Sequence, residues 1–339
     1  MIKKIKGILL PLAATCLFTA CYEDYLRDFD YTAAYVAYQY DLRTFVAGED
    51  EAFSLPVALG GVMVNDRVRA YSVSIDNNLC SQDLTSFSSG KYDSFNAMDG
   101  MLGKGQFGML AGGSNSYVTS EVAAAGIQAL TPLPASYYSV DFAGLSIPKG
   151  YVTASAKIKA SSSFFDDPLA YKPYYAVAYK IDKADVDTLI RERGFSIVAV
   201  KAENKFFGNW YHGGKSTTGG DDILYPLSIP QDDNSVYTLT TVDKNTVKTN
   251  KYVQNSGSLT LTFNGDDITI TSDEVNLVPD SRKSYFNGAK LLQDRKLYLN
   301  YSYIDSKGRT VQVSDSLVFR NRIRDGINEW QDTNPEHYE

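Results

Sequence analysis

The chain has 339 residues, with 33 Lys and Arg against 40 Asp and Glu and a formal net charge of −7 at pH 7. Residues 1–20 contain three lysines and no acidic residue, so the remainder carries 30 − 40 = −10. This acidic balance argues against nucleic acid or anionic lipid headgroups as electrostatic partners, because both need a basic surface. At this length we expect two domains, each large enough for a core without disulfides.

The first residues predict a lipoprotein export signal. Three lysines within the first six residues precede a short apolar run that ends in small residues before Cys21. Such a run is too short to span a bilayer as a helix, so residues 1–20 are expected to be removed and Cys21 to become the acylated N-terminus. Phe18 stands where lipoprotein signals usually carry an aliphatic residue, which leaves Cys16 as the alternative attachment site. Residues 21–27 would form the lipid-anchored tether.

Alternating apolar and polar residues, separated by Gly, Asn and Asp, predict antiparallel sheets along the rest of the chain. A stretch rich in Gly, Ser and Ala near 84–131 predicts an insertion in the first sheet domain. Its 103–108 segment lacks the Gly-Lys-Ser/Thr ending of a phosphate loop, which favours a surface loop. The clearest alternating runs are 151–160, 175–181, 258–263 and 297–303.

One segment predicts a helix. After Asp182 or Asp185 as a cap, Val186, Leu189 and Ile190 have helical spacing, and a glycine at 194 can end the helix. The predicted fold class is therefore all-β, with two β-sandwich-like antiparallel domains joined by a short helical linker. The predicted bounds are 28–182 for the first domain, 183–194 for the linker, 195–325 for the second domain and 326–339 for a polar tail.

Ten segments carry a resemblance to a known arrangement: 53–61, 76–80, 133–138, 147–150, 163–170 and 174–181 in the first half, and 209–215, 240–242, 297–303 and 315–319 in the second. The first set resembles the N-terminal β-sandwich domain of unknown function in Bacteroidota surface lipoproteins, a type that also precedes some family 18 endo-N-acetylglucosaminidases. The second set resembles the C-terminal domain that often follows it.

This resemblance implies a lipoprotein associated with starch-utilisation-type glycan import loci. The acidic residues directly after Cys21 are similar to the Bacteroidota signal for display on the outer cell surface. The resemblance implies no assigned activity for either domain. It therefore predicts an outer-membrane, lipid-anchored protein that faces the cell exterior.

Candidate catalytic groups are few. His212 and His337 are the only histidines, and neither has a recognisable nucleophile context. Cys80 is the cysteine left after the signal and the anchor, and we expect it to be a buried thiol. No metal site or cofactor is predicted, although a loop calcium stays open. Four pairs of adjacent acidic residues are expected to form turns and not to act as the two catalytic carboxylates of a glycosidase. They are 166–167, 221–222, 232–233 and 266–267.

Aromatic residues are the better lead to a ligand site. The chain has 25 Tyr, 16 Phe and 2 Trp, and flat rings exposed on β loops suit the faces of sugars. Many of these rings are expected to pack in the sheets instead. Trp210, Tyr211, His212 and Trp330 are the candidate ligand-binding residues.

These observations favour a non-enzymatic, accessory glycan-binding component of a polysaccharide utilisation system. Its partners would be a glycan or polysaccharide, an outer-membrane importer or neighbouring lipoproteins, and the membrane through the lipid anchor, with no nucleic acid. The alternative is a non-catalytic structural or protein-interaction subunit of an import complex. An enzyme ranks third.

Overall fold

The computed structural model describes residues 31–80, 121–127, 129–227 and 235–332. The predicted signal, Cys21, the tether and positions 84–120 of the glycine-rich insertion lie outside the described residues. The same holds for the acidic pair 232–233 and for 333–339, which include His337. Within the described ranges, no helix is long and apolar enough to cross a membrane.

The first domain is a sandwich of two sheets with its main core between them. Its short α-helical turns lie at 121–124 and Ser162–Phe165, and its 3₁₀ turns at Asn77–Leu79, Ala135–Tyr137, Pro168–Tyr171 and Arg191–Arg193. The strands are β1 (Ala33–Tyr35), β2 (Tyr40–Ala47), β3 (Ala52–Gly60), β4 (Arg69–Ile75), β5 (Thr131–Pro132), β6 (Tyr138–Val140), β7 (Ser146–Ile147), β8 (Thr153–Ala160), β9 (Tyr175–Ala184), β10 (Thr188–Leu189) and β11 (Phe195–Asn204).

Period-two alternation explains why a segment such as β8 forms a half-buried strand, whereas β9 and β11 are buried over five consecutive residues. One sheet has the order β10-β1-β3-β8-β6 and the other β2-β11-β9-β4-β7, with β5 beside β9. In β8, Ala156, Ile158 and Ala160 are buried and alternate with exposed Ser155, Lys157 and Lys159. The alternation predicted for 151–160 is therefore confirmed.

The predicted helical linker at 183–194 is wrong. The segment contains the short strand β10, which lies parallel to β1, and the single 3₁₀ turn Arg191–Arg193. The carboxylate of Asp187 accepts hydrogen bonds from the backbone N–H and hydroxyl of Thr32 at 2.7 and 2.8 Å. The N–H of Ile190 donates to the carbonyl of Ala34 at 3.1 Å. Pairing with β1 satisfies the backbone, so a helix is not formed.

The predicted domain boundary also moves. Strand β11 pairs in parallel with β2 and antiparallel with β9, so it belongs to the first domain. Its residues Val198, Val200 and Ala202 lie in the sandwich core. The first domain therefore ends near Asn204 instead of 182.

The second domain is antiparallel throughout. A 3₁₀ turn lies at Leu292–Asp294. Its strands are β12 (Gly208–Thr218), β13 (Asp221–Tyr225), β14 (Tyr237–Asp243), β15 (Thr246–Thr249), β16 (Lys251–Tyr252), β17 (Asn255–Ser256), β18 (Thr260–Asn264), β19 (Asp267–Thr271), β20 (Leu277–Val278), β21 (Ser284–Phe286), β22 (Lys296–Ile304), β23 (Thr310–Arg324) and β24 (Ile327–Glu329).

The main sheet of this domain closes on itself. The order β12-β14-β15-β18-β19-β21-β22-β23 returns to its start because β23 also pairs with β12. Closure removes most free edges, leaving β13, β20 and β24 as outer strands. Side chains fill the interior, including Phe206, Trp210 and Leu299. The all-β, two-domain prediction is confirmed, with the second domain in this barrel form.

A buried ion cluster joins the two domains. Glu49, in the turn between β2 and β3, has a side chain that is only 4% exposed. Its carboxylate contacts Arg295 of the barrel and accepts from Nη1 of Arg322 at 3.0 Å. Burial alone would raise the pKa of Glu49, but Arg322 and Arg295 outweigh burial and hold that pKa below its ordinary 4.5.

Replacing Glu49 tests this cluster. Glu49→Ala would leave Arg295 and Arg322 buried without their shared carboxylate, and we expect a loss of about 3 to 5 kcal/mol of unfolding free energy. Urea unfolding followed by circular dichroism measures the change. Lys248→Ala, which removes an exposed partner of Glu274, is the control and should shift the urea midpoint far less.

The pH dependence of the unfolding free energy gives a second readout of the same ion cluster. Because the folded-state pKa of Glu49 is lowered, its contribution is present above about pH 4.5 and is lost as the pH falls through that lowered pKa. The stability advantage of the wild type over Glu49→Gln should therefore shrink in acid. An equal advantage at pH 7 and at pH 2 would contradict the assignment.

Candidate functional site

Trp210 is a core residue of the barrel. Its side chain is 0% exposed, its ring packs edge-on against Phe319, and its indole N–H donates to the carbonyl of Phe206 at 3.1 Å. A ring without exposed surface cannot stack on a sugar. The predicted ligand contact at Trp210 is therefore wrong, because β12 turns this face toward the interior.

His212 lies two positions further along β12 and is also buried. Its Nε2 is 3.1 Å from Oδ1 of Asp315, and its ring stacks on Tyr225 and Tyr237 at centroid distances of 5.0 and 4.5 Å. The hydroxyl of Tyr301 donates to Oδ2 of Asp315 at 3.1 Å. The predicted ligand contact at His212 is thus wrong, since the imidazole belongs to a polar cluster inside the barrel.

The tyrosines of this cluster stay protonated. Burial, followed by the negative charge of Asp315, raises the pKa of Tyr237 and Tyr301 well above the ordinary value. Their hydroxyls therefore serve as hydrogen-bond donors, and that of Tyr237 reaches the carbonyl of Val253 at 2.8 Å. The hydroxyl of Tyr301 donates to the buried carboxylate of Asp315, and a buried hydrogen-bond network of this kind rigidifies the barrel.

Tyr211 occupies the opposite face of β12 from its two neighbours. Its side chain is half-buried, and the guanidinium of Arg320 lies 5.7 Å from the ring centroid. One face of the ring is thus covered by a cation. The ligand role of Tyr211 stays a prediction.

Trp330 is the exposed member of the predicted set. It directly follows β24, its side chain is 57% exposed, and it borders a cleft of about 320 Å³. The cleft is also lined by Asp50 from the first domain and by Arg322, Arg324 and Glu329 from the barrel. We refer to it as the Trp330 cleft.

Hydrogen-bonded ion pairs fix the polar wall of the Trp330 cleft. Arg324 donates through Nη1 to Asp50 at 2.6 Å and through Nε to Glu329 at 2.7 Å. The carboxylate of Asp332 accepts from the N–H of Leu292 at 2.7 Å, which holds the chain on the far side of Trp330. The wall thus presents charged groups in a fixed geometry beside an exposed indole.

Sequence reasoning noted Glu329 and Asp332 beside Trp330 but placed them in a polar tail, and it missed Asp50, Arg322 and Arg324, which only the fold brings to this cleft. Positions 327–329 instead form strand β24, which pairs with β23. The signal was present: Asp325-Gly326 joins the two strands, and both residues have positive φ, 53° and 78°, as a two-residue hairpin turn requires. The polar tail prediction is therefore wrong for these residues.

Other candidate groups have structural roles. Cys80 is buried, and burial raises the pKa of its thiol to about 11, which confirms the buried thiol. Asp167 caps the 3₁₀ turn after it and accepts from the hydroxyl of Tyr175 at 2.6 Å. Gly265-Asp266 forms the predicted hairpin turn between β18 and β19.

Across the described ranges, no three His, Cys, Asp or Glu side chains are grouped to hold a metal.

Sequence comparison finds no match: no protein-family model matches the chain, and no curated protein does so. Among solved structures, a protein of unknown function from Bacteroides ovatus is similar at 20% identity, with 90% of this chain and 99% of that chain covered and a TM-score of 0.59. This likeness shows the fold, and it spans both domains. The chain therefore shares a two-domain, all-β fold with a Bacteroides protein.

More distant structures come from the same genus. A multidomain protein including DUF1735 from Bacteroides ovatus is 12% identical, with 89% and 100% of the two chains covered and a TM-score of 0.38. An auxiliary nutrient binding protein from Bacteroides thetaiotaomicron VPI-5482 is 16% identical, with 86% and 96% covered and a TM-score of 0.37. At these TM-scores neither comparison carries an argument about this chain.

The two tryptophans offer a direct test of this assignment. In Trp210→Phe the remaining indole is Trp330, and we expect red-shifted emission that acrylamide quenches readily. In Trp330→Phe the remaining Trp210 should emit at shorter wavelength and resist quenching, because its ring is shielded. Fluorescence titration with acrylamide checks both variants, and similar quenching constants would contradict the placement of the rings.

Proposed function

We propose that this protein is a non-catalytic, surface-anchored accessory component that binds a glycan in the Trp330 cleft. The observation that carries the proposal is the exposed indole of Trp330 beside a fixed wall of charged hydrogen-bonding groups. Sugars present apolar C–H faces and polar rims, and an aromatic ring next to Arg and carboxylate groups matches both.

The dimensions and the chemistry of the cleft support a binding role. Its volume of about 320 Å³ lies at the small end of ligand sites, which suits a short stretch of a chain bound from one side. Asp50 and Glu329 already accept from Arg324, so neither carboxyl group stands ready as the general acid of a glycosidase. Retention, and not turnover, is the proposed task.

Anchoring would strengthen weak binding. Acyl chains on Cys21 contribute about 0.8 kcal/mol per buried methylene, so more than one chain holds the protein at the membrane. Many copies on one outer surface could then engage the same polymer at several points. The proposed setting is the outer membrane, facing the cell exterior and near an importer.

A second candidate function rests on strand β13. This outer strand pairs only with β12 among the described strands, and its Ile223 and Leu224 are 62% and 71% exposed. An apolar strand with a free edge can pair with a strand of another protein. The second candidate is therefore a structural or interaction subunit of an import complex.

Affinity electrophoresis tests the glycan proposal. Detergent-solubilised full-length protein is run in gels that contain host or plant polysaccharides, and we expect retardation by one glycan class. Trp330→Ala should abolish the retardation, because it removes the stacking surface. Trp210→Phe is the matched control, since it changes the buried tryptophan and should retain the retardation.

Two outcomes would count against the proposal. Retardation that persists in Trp330→Ala would place binding elsewhere on the protein. No retardation by any glycan would shift the weight to the interaction subunit, in which case Leu224→Lys on the exposed strand becomes the informative variant.

The anchor has its own test. Cys21→Ala should leave the protein folded, because the residue precedes both domains, and should release it from the membrane fraction. Cell fractionation with immunoblotting measures the change, and Cys80→Ala is the control that keeps the anchor. Continued membrane retention of Cys21→Ala would point to Cys16 or to a protein partner.

A further inference from the structure

A second cleft lies on the other side of the turn that carries Glu49. Its volume is about 390 Å³, and both domains line it. Ser162 and Phe165 come from the first domain, Asn245 and Phe263 from the barrel, and Lys205 from the connection between β11 and β12. We call it the Lys205 cleft.

Lys205 brings a positive charge that has no direct ion pair to this cleft. Its ammonium lies 5.0 Å from the ring centroid of Phe206 and 5.4 Å from that of Phe286, and among the described residues it makes no ion pair. Burial, followed by the charge of Arg295, lowers the pKa of Lys205. An ammonium held in this way gains from an anion that approaches it.

Nearby charged groups do not fill this role. Arg295 and Glu49 belong to the domain cluster, where each is already engaged. Lys244 pairs with Asp166 across the domains. Glu51, also in the cleft, accepts the N–H of Gly48 at 3.1 Å. Lys205 is thus the lysine in the described wall of the cleft that makes no ion pair, and the carboxylates of Glu49 and Asp266 act on it from beyond ion-pair distance.

Two further donors, on the exposed residues Ser162 and Asn245, line the same cleft without a partner among the described residues. The hydroxyl of Ser162 and the side-chain amide of Asn245 make no hydrogen bond there, although Asn245 uses its backbone N–H on Asp243. Asn204 differs, because its amide donates to the carbonyl of Lys244 at 2.9 Å. Residues that carry an ammonium, a hydroxyl and an amide therefore line one cleft from both domains.

We infer that the Lys205 cleft binds an oxyanion of the carboxylate or sulfate type, with Lys205 as its counter-charge and Ser162 and Asn245 as hydrogen-bond donors. Charge-assisted hydrogen bonds to such a group are the strong ones in proteins. That the oxyanion is carried by an acidic sugar rests on the proposed function; the anion site itself stands on the geometry of this cleft.

Isothermal titration of the solubilised full-length protein at fixed ionic strength tests the site. The probes are trigalacturonate, a sulfated galactose trisaccharide and the uncharged galactose trisaccharide. We expect a charged probe to bind more tightly than the neutral one, and the stronger of the two charged probes identifies carboxylate or sulfate as the natural group. Lys205→Gln should weaken that binding by about tenfold or more.

Controls separate this site from general electrostatics and from the Trp330 cleft. Lys248→Gln removes an exposed lysine that pairs with Glu274 and should leave the affinity unchanged. Asn245→Ala should weaken binding less than Lys205→Gln, and urea midpoints confirm that both variants fold. Trp330→Ala should retain binding of the charged probe to the Lys205 cleft.

The overturning results are specific. Equal affinity of the wild type and Lys205→Gln, equal binding of charged and uncharged probes, or no binding of either charged probe would each reject the anion site. If retardation by an uncharged polysaccharide persists in Trp330→Ala, the proposed glycan cleft fails, and the Lys205 site still stands where the charged probe binds that variant and Lys205→Gln weakens its binding.

Discussion

The buried contact of Glu49 with Arg295 and Arg322 is the constraint on which the arrangement of the two domains depends. Removal of a carboxylate and two guanidinium groups from water costs several kcal/mol per ion, and the pairing offsets this cost only while all three stay in place. Sliding of the turn along the barrel would break this pairing and the neighbouring ion pair of Asp50 with Arg324. The domains therefore dock in one discrete arrangement.

The shapes of the Trp330 cleft and the Lys205 cleft both depend on how the two domains dock. Asp50, next to Glu49, forms part of the Trp330 cleft, whereas Gly48 and Glu51 line the Lys205 cleft on the other side. A single turn between β2 and β3 thus contributes to two clefts made by both domains. For the proposed ligands, walls supported in this way would be in place before binding, which would reduce the ordering cost.

The sequence predicted what depends on local periodicity. Alternation in 151–160 and the turn at Gly265 are properties of neighbouring residues, so the strand and the hairpin followed directly. The spacing of Val186 and Leu189 fits a helix equally well, but both side chains pack on the sandwich core while β1 takes up the backbone. Here a partner far along the chain decided the structure.

The same limit applies to the site residues. A motif such as Trp210-Tyr211-His212 shows that aromatic rings are present, whereas barrel closure between β12 and β23 decides which of them face the interior. His212 could be understood only together with Asp315, about a hundred residues later. Trp330 was identified because it follows the last predicted strand, and its charged neighbours come from both domains.

The net charge of the whole chain and the charge at one cleft can differ in sign. A net charge of −7 argues against a polyanion such as nucleic acid, because many phosphates would meet repulsion over a wide surface. Repulsion from distant acids is screened beyond about 8 Å at physiological ionic strength. The electrostatic energy of a single oxyanion in the Lys205 cleft instead depends mainly on the groups that line the cleft. The acidic chain and a local anion site are therefore compatible, and the overall charge would select small or sparsely charged ligands over dense polyanions.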